Sequence, residues 1–249
     1  MKLAIVSPAL RLSRTTEESI DRLVALCDER EILVTRKQDS TSGVIFVRNK
    51  LASEFLVGAP GETRAPDDAL LTVDGDAGFD AEDILEWLDS GLDVIALPRP
   101  CKSIDWTRIH AAVLDGASAL DLPQIASDLV FNTLPDGSTP AVQAESGATF
   151  LEVAEAPAHT MMIRRRVLSQ IVEMMGPDLA YDNGPNSGAW AFFQEMTLGK
   201  RLLSDDFFFC GIARGCGFKI YAHVEALARH VGEHVFEGSI KARMATTSS

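Results

Sequence analysis

The sequence predicts an α/β fold, doubly wound about a mostly parallel, Rossmann-like sheet with helices on both faces. Three observations predict it. Strand-like and helix-like segments alternate through the first 100 residues. The strand segments "KLAIV", "ALLTV" and "LDVIALP" are short, unbroken apolar runs, as strands covered on both faces require. The helical segments carry one apolar stripe each, with acidic residues at their starts.

The elements follow in order. Residues 2–6 read as a first buried strand. "TEESIDRLVALCDER" then places Ile20, Leu23, Val24 and Cys27 at helical spacing, with Thr16 as the expected N-cap. "EILVT" (31–35) reads as a second strand, and Val44, Val47, Leu51 and Phe55 mark a helical stripe after it. On that helix Arg48 and Asn49 sit beside the stripe. A Pro/Gly/Asp-rich loop leads to "ALLTV" and an Asp-Gly-Asp turn, then to the helix "DAEDILEWLDSG" and the strand "LDVIALP". "WTRIHAAVLDGA" is helical, and 119–148 is loops with short strands. "TFLEV" (149–153) and "HTMMI" (159–163) read as strands, and "RRRVLSQIVEMMG" as a helix closed by Gly176. "YDNGPNSGAW" is a loop. Ser204 caps a last helix that opens on Asp205 and Asp206 and turns Phe208, Ile212 and Ala213 inward.

A chain of 249 residues accommodates one large α/β domain or two small ones; a single domain over 1–240 with a frayed tail at 241–249 is expected. No stretch approaches the roughly 20 apolar residues of a membrane span, and the first residues are too short and polar for a signal peptide. Four cysteines without C-x-x-C spacing read as reduced thiols in a cytoplasmic protein. A net charge of −13 disfavours a broad grip on nucleic-acid phosphates, although Arg164, Arg165 and Arg166 form a local basic run.

The chemistry gathers at a few places. Asp74 and Asp76 end a buried strand with only Gly75 between them, where α/β sheets bind their ligands. Such a pair can hold a divalent cation through carboxylate oxygens, with Gly75 permitting close backbone approach; read alone, it is equally an exposed turn. Asp205 and Asp206 suit a helix start as caps, and one of them could instead take a proton from an attacking hydroxyl. His230 precedes Gly232 and reads either as a structural hydrogen-bonder or as a ligand. "HVGEH" carries Gly inside it, which argues against a helical zinc pair of His230 and His234.

In order along the chain these are Arg48-Asn49, Asp74-Gly75-Asp76, Ser204-Asp205-Asp206, Gly217-Phe218-Lys219-Ile220-Tyr221 and His230-Val231-Gly232. That ordered set resembles the GT-A glycosyltransferases, more narrowly their compact bacterial and phage-type members, over roughly residues 2–238. The resemblance implies a GT-A fold and a metal-dependent transfer of sugar from a nucleotide-diphosphate donor to a hydroxyl acceptor. It implies Mn²⁺ or Mg²⁺ as cofactor, with Asp76 the principal ligand and His230 joining metal and diphosphate. Asp74 falls on the ribose or metal side of the nucleotide. Ser7 and Pro8 would lie near the nucleobase, and Arg48 could reach the nucleotide or simply pack along its helix. Asp206 matches the base of inverting members; Asp205 stands where the family more often has Glu, so either could serve.

Two departures stand out. Ala158-His159-Thr160 replaces the glycines frequent in relatives, which makes His159 a candidate acceptor contact and leaves the acceptor open, whether a glycan or a modified DNA base. Pro98-Arg99-Pro100-Cys101-Lys102 stands for the family's "Y-P-x-K", so Lys102 could touch the donor sugar or a phosphate, or be a solvated loop lysine. Two further readings are a GT-A domain that binds without turnover and a sugar-nucleotide nucleotidyltransferase. The second wants a glycine-rich phosphate loop after the first strand, and "SPALRLSRTTEES" has no glycine. An aspartyl phosphatase would want its D-x-D after the first strand, which this chain does not provide.

Overall fold

Residues whose side chains alternate between two apolar surroundings define the central layer. In the first strand Leu3 and Ile5 enter one core while Ala4 and Val6 enter the other. The computed structural model describes residues 1–182 and 188–233. The expected tail at 241–249, His234 and the middle of the "YDNGPNSGAW" loop lie outside the described residues.

The first half comprises β1 (Lys2–Ser7), α1 (Arg14–Glu29), β2 (Leu33–Gln38), α2 (Val44–Val57), β3 (Ala69–Val73), β4 (Ala77–Gly78), α3 (Ala81–Asp89), β5 (Val94–Ala96), β6 (Arg99–Pro100) and α4 (Trp106–Leu114). After these come α5 (Leu122–Ile125), β7 (Leu129–Val130), β8 (Ala141–Gln143), β9 (Thr149–Val153), β10 (Thr160–Arg164) and α6 (Arg165–Leu179). The last are β11 (Ala180–Tyr181), β12 (Ala189–Trp190), β13 (Met196–Leu198), β14 (Arg201–Leu203), α7 (Asp205–Gly215), β15 (Ile220–His223) and β16 (Arg229–His230).

Eight strands form one sheet in the order β2-β1-β3-β10-β5-β15-β9-β8. β1 pairs in parallel with β2 and β3, and β15 with β5. β10 runs antiparallel between β3 and β5, and β9 is antiparallel to β15 and β8. The sheet is therefore mixed, against the mostly parallel sheet the alternation predicts. Apolar runs report burial and not direction, so "TMMIR" reads alike in either orientation. Helices do cover both faces. Ile20, Leu23, Ile84 and Trp87 from α1 and α3 build one core; Val47, Leu51, Val167, Ile171 and Phe209 from α2, α6 and α7 build the other.

Three boundaries differ from expectation. Ser13, not Thr16, caps α1: its side chain accepts from the Thr16 N–H at 3.1 Å. β2 starts at Leu33 because residues 30–32 close the end of α1. The Ile32 N–H returns to the Cys27 carbonyl, with Glu31 in the left-handed region at φ 55°. α6 passes through Gly176 and Pro177 to Leu179, so the glycine does not end it.

The basic run is consumed inside the protein. Arg164 is 2% exposed and donates to the carbonyls of Leu88 (2.6 Å) and Asp67 (2.7 Å). Arg165 donates to the Phe55 and Leu56 carbonyls at 2.5 and 2.8 Å and stacks over the Phe55 ring. Arg166 pairs with Asp67 and Asp93. These guanidiniums tie the last turns of α3 and α2 to the end of β10, where helix carbonyls lack intrahelical partners. With these donors engaged inside the protein, the run offers little for a nucleic-acid phosphate. Among the described residues no helix is long and apolar enough to cross a membrane. Arg164→Met should leave buried carbonyls unpaired and cost about 2–4 kcal/mol in urea unfolding. A loss below about 1 kcal/mol would show the clamp to be dispensable.

Candidate metal centre

The site forms where β3 and β5 end and β10 begins. Thr160 lies opposite Val73 in the ladder, so His159 emerges beside the Asp-Gly-Asp turn and its carbonyl accepts from the Asp74 N–H at 2.9 Å. Just past the turn β4 pairs with β16, setting His230 opposite Ala77, and the Val231 N–H donates to the Asp76 carbonyl at 2.8 Å. Beyond β5 the chain runs through β6 to Lys102.

Gly75 has a definite reason. A Cβ there would stand 2.6 Å from the Arg11 carbonyl oxygen and 2.7 Å from Ala9 Cβ. The β1–α1 loop closes onto this glycine, and the Ser13 N–H and Thr16 hydroxyl both donate to its carbonyl, at 2.6 and 3.0 Å. The two residues expected near a nucleobase, Ser7 and Pro8, are both buried at the head of that loop.

Asp76, His159 and His230 each present a ligand atom, all within 4.8 Å of one another. The Nε2 of His159 is 3.6 Å from Asp76 Oδ1, and that of His230 is 3.3 Å from Asp76 Oδ2. His230 Nδ1 lies 2.8 Å from the Pro100 carbonyl oxygen. A carbonyl only accepts, so Nδ1 carries the proton and donates; in the neutral ring Nε2 then offers its lone pair to the Asp76 side. Burial foremost, with the Lys102 ammonium adding to it, lowers the His230 pKa and favours that neutral ring. His159 is 2% exposed and neither ring nitrogen has a hydrogen-bond partner among the described residues. Leaving buried polar nitrogens unpaired is costly, and a bound cation would satisfy one of them. Together the residues fit a divalent transition ion. Two imidazoles with one carboxylate suit Mn²⁺ or a softer ion better than oxygen-seeking Mg²⁺.

Without an ion, Asp76 is neutralised by the chain. Lys102 Nζ donates to Oδ2 at 2.6 Å. Asp74 has a separate counter-charge. Arg48, 5% exposed, donates through Nη2 to Asp74 Oδ1 at 2.7 Å and through Nη1 to Asp205. The two aspartates of the turn thus face different cations. Asp74 stands apart from the metal group, contrary to its expected share in it. His159, expected as an acceptor contact, lies in that group. Asp205 is committed to Arg48, and Asp206 accepts from the Ser204 hydroxyl and the Phe207 N–H through Oδ1. Ser204 is the N-cap residue of α7, but its side chain serves Asp206 and does not cap the backbone.

Neither the Arg48 bridge nor the approach of His159 to Asp76 was deducible as such from sequence. The available signals were the charged residue inside an apolar helix stripe and a histidine entering a buried strand. Among the described residues a second group, Asp83, Glu86 and His223, also has ligand spacing. There the Trp87 indole N–H, a donor only, points at His223 Nδ1 at 3.0 Å. Nδ1 must accept, so Nε2 keeps the proton of the neutral ring and cannot ligate a metal.

Two outcomes follow from these charges. Arg48→Met should leave two half-buried carboxylates without their counter-ion and cost about 3 kcal/mol in urea unfolding, with Arg48→Lys losing less. A loss under about 1 kcal/mol would mean the bridge does not hold the fold. Burial first, then Asp80, Glu86 and Glu82, raises Asp83 to about 6. The folded protein therefore keeps a proton between about pH 4 and 6 that the unfolded chain releases, and stability falls as pH rises through that window. Asp83→Asn should gain about 1 kcal/mol above pH 6, a Tm rise of about 2–4 °C, and nothing at pH 4. An equal gain at both pH values would rule out ionisation as the cause. No family model matches the sequence, and no curated protein does. Among solved structures, the crystal structure of A197 from STIV is similar over 94% of this chain and 87% of its own, at 13% identity and a TM-score of 0.47.

Proposed function

We propose that the protein is a metal-dependent glycosyltransferase of the GT-A type, transferring a sugar from a nucleotide-diphosphate donor to a hydroxyl acceptor. The observation that carries this reading is the Asp76–His159–His230 group beside Lys102, at the carboxyl end of β3 and β5. A cation held there would supply positive charge for the leaving diphosphate. Lys102 lies close enough to share that charge, and Arg48 fixes Asp74 at the same edge. With Asp205 tied to Arg48, Asp206 is the carboxylate that takes the proton from the acceptor hydroxyl, aligned through its other contacts to Ser204 and the Phe207 N–H. A single positioned base suits an inverting transfer.

A cavity beside these acids supports the acceptor side of this reading. A cavity of about 700 Å³ opens next to Asp205, lined by Phe46, Tyr181, Phe193, Gln194 and Glu195 among others. Aromatic rings with a few polar ends suit the apolar face and hydroxyls of a sugar. The β1–α1 loop packs on Gly75, and the Thr16 and Glu17 N–H groups of α1 are engaged by Ser13. That arrangement disfavours a nucleotidyltransferase, which would cradle phosphates there.

The test is a thermal-shift panel of UDP, GDP, TDP and CMP, each with and without Mn²⁺, run beside Asp76→Ala. A nucleotide at 100 times its Kd adds about 2.7 kcal/mol. For a chain of this size that is about 5–10 °C. A metal-dependent shift with one nucleotide, lost in the variant, is expected. No metal-dependent shift with any of the four would sink the reading.

A further inference from the structure

Lys102 does more than line the site. Its ammonium lies on Asp76 Oδ2, the same oxygen that His230 Nε2 approaches, so it holds one of the carboxylate oxygens a metal ion could use. Its stem is guided there. A Cβ on Gly232 would meet Lys102 Cδ at 2.8 Å, Cε at 3.2 Å and Cγ at 3.3 Å, so the missing side chain of Gly232 is the slot through which the lysine passes. Both partners remain partly open, with side chains 42% and 38% exposed, so the pair can part without unfolding anything around it. Arg48, by contrast, is buried between two carboxylates and cannot leave.

We propose that Lys102 is a tethered cation that occupies the divalent-ion site, and that metal entry displaces it from Asp76. The inference rests on the metal reading above. Two like charges cannot share one carboxylate oxygen cheaply, so ion and ammonium exclude each other. The displaced ammonium, held on a short loop beside the ion, becomes free to meet a diphosphate. Metal binding thereby prepares the counter-charge for the donor, and the empty site stays neutralised. Lys102 acts here as a positioning residue that competes with the ion.

The experiment titrates Mn²⁺ alone, by calorimetry, into the wild type, Lys102→Met and Gly232→Ala. Removing the competitor should tighten Mn²⁺ binding about three- to five-fold, the value of a half-exposed ion pair. Gly232→Ala, which crowds the lysine stem, should shift affinity in the same direction. A second readout follows Lys102 itself. Its labelling by an amine-reactive ester, quantified by peptide mass spectrometry, should rise when Mn²⁺ is added and should be high with or without Mn²⁺ in Asp76→Ala. Unchanged or weaker Mn²⁺ binding by Lys102→Met, or labelling indifferent to Mn²⁺ in the wild type, would overturn the competition while leaving the metal reading intact. No Mn²⁺ binding by any of the three proteins would overturn both.

Discussion

One buried guanidinium joins the parts of the site. Arg48 comes from the middle of α2, Asp74 from the turn after β3 and Asp205 from the first turn of α7, and all three meet at one planar group. Each carboxylate is only partly covered, and Arg48 is almost fully so. A guanidinium suits this duty because its donors fork rigidly and its charge does not titrate away. Burial works against the cation, but the two aspartates, and Asp206 beyond them, outweigh it and keep the Arg48 pKa raised. The Phe193 ring lies under it at 5.6 Å, so the same group orders the wall of the neighbouring cavity.

With that bridge in place the electrostatics of the turn make sense. Two aspartates one residue apart repel unless each has its own cation. Asp74 receives a fixed one and Asp76 a movable one, and the difference lies in burial. A buried pair is expensive to break, because the surviving charge is left desolvated, whereas a half-exposed pair exchanges with water at little cost. Rigidity is therefore spent on Asp74 and Asp205, which set distances, and exchangeability is kept for Asp76, the residue that would have to change partners. A net charge of −13 does not weaken this division, because the deciding charges lie within a few ångströms and the rest of the surface is screened beyond a Debye length.

The sequence made the site's location legible more readily than its wiring. "ALLTVDGD" reads as a buried strand ending on two carboxylates, and it is one; the helical stripe of α2 and the acidic start of α7 were legible too. Local periodicity carries such information because it reports which face is buried. It does not report pairing direction or long-range contacts. The antiparallel insertion of β10 between β3 and β5 was invisible, and it is this insertion that brings His159 to Asp76. Likewise "IRRR" looks like a surface for anions until three helix and loop ends turn out to need its donors. Charge in a sequence counts groups; only the fold says which of them are already spent.

The two histidine–carboxylate groups carry this point to its sharpest form. Both bring acidic oxygens and a buried imidazole within ligand distance, two imidazoles with one carboxylate in the first and one imidazole with two carboxylates in the second. What separates them is the partner of the remaining ring nitrogen. His230 faces a carbonyl, which can only accept, and so its inner nitrogen has a lone pair to give. His223 faces an indole N–H, which can only donate, and so its inner nitrogen carries a proton and turns toward Glu86 and Glu225, each 3.5 Å away. Ligating a metal through His223 would require an imidazolate or the loss of the Trp87 bond inside the core, at the price of an unpaired buried donor. Second-neighbour hydrogen bonds of this kind fix the tautomer before any ion arrives. In one group the inner imidazole nitrogen thus has a lone pair free for a cation, while in the other the Trp87 bond beneath α3 leaves it a proton instead.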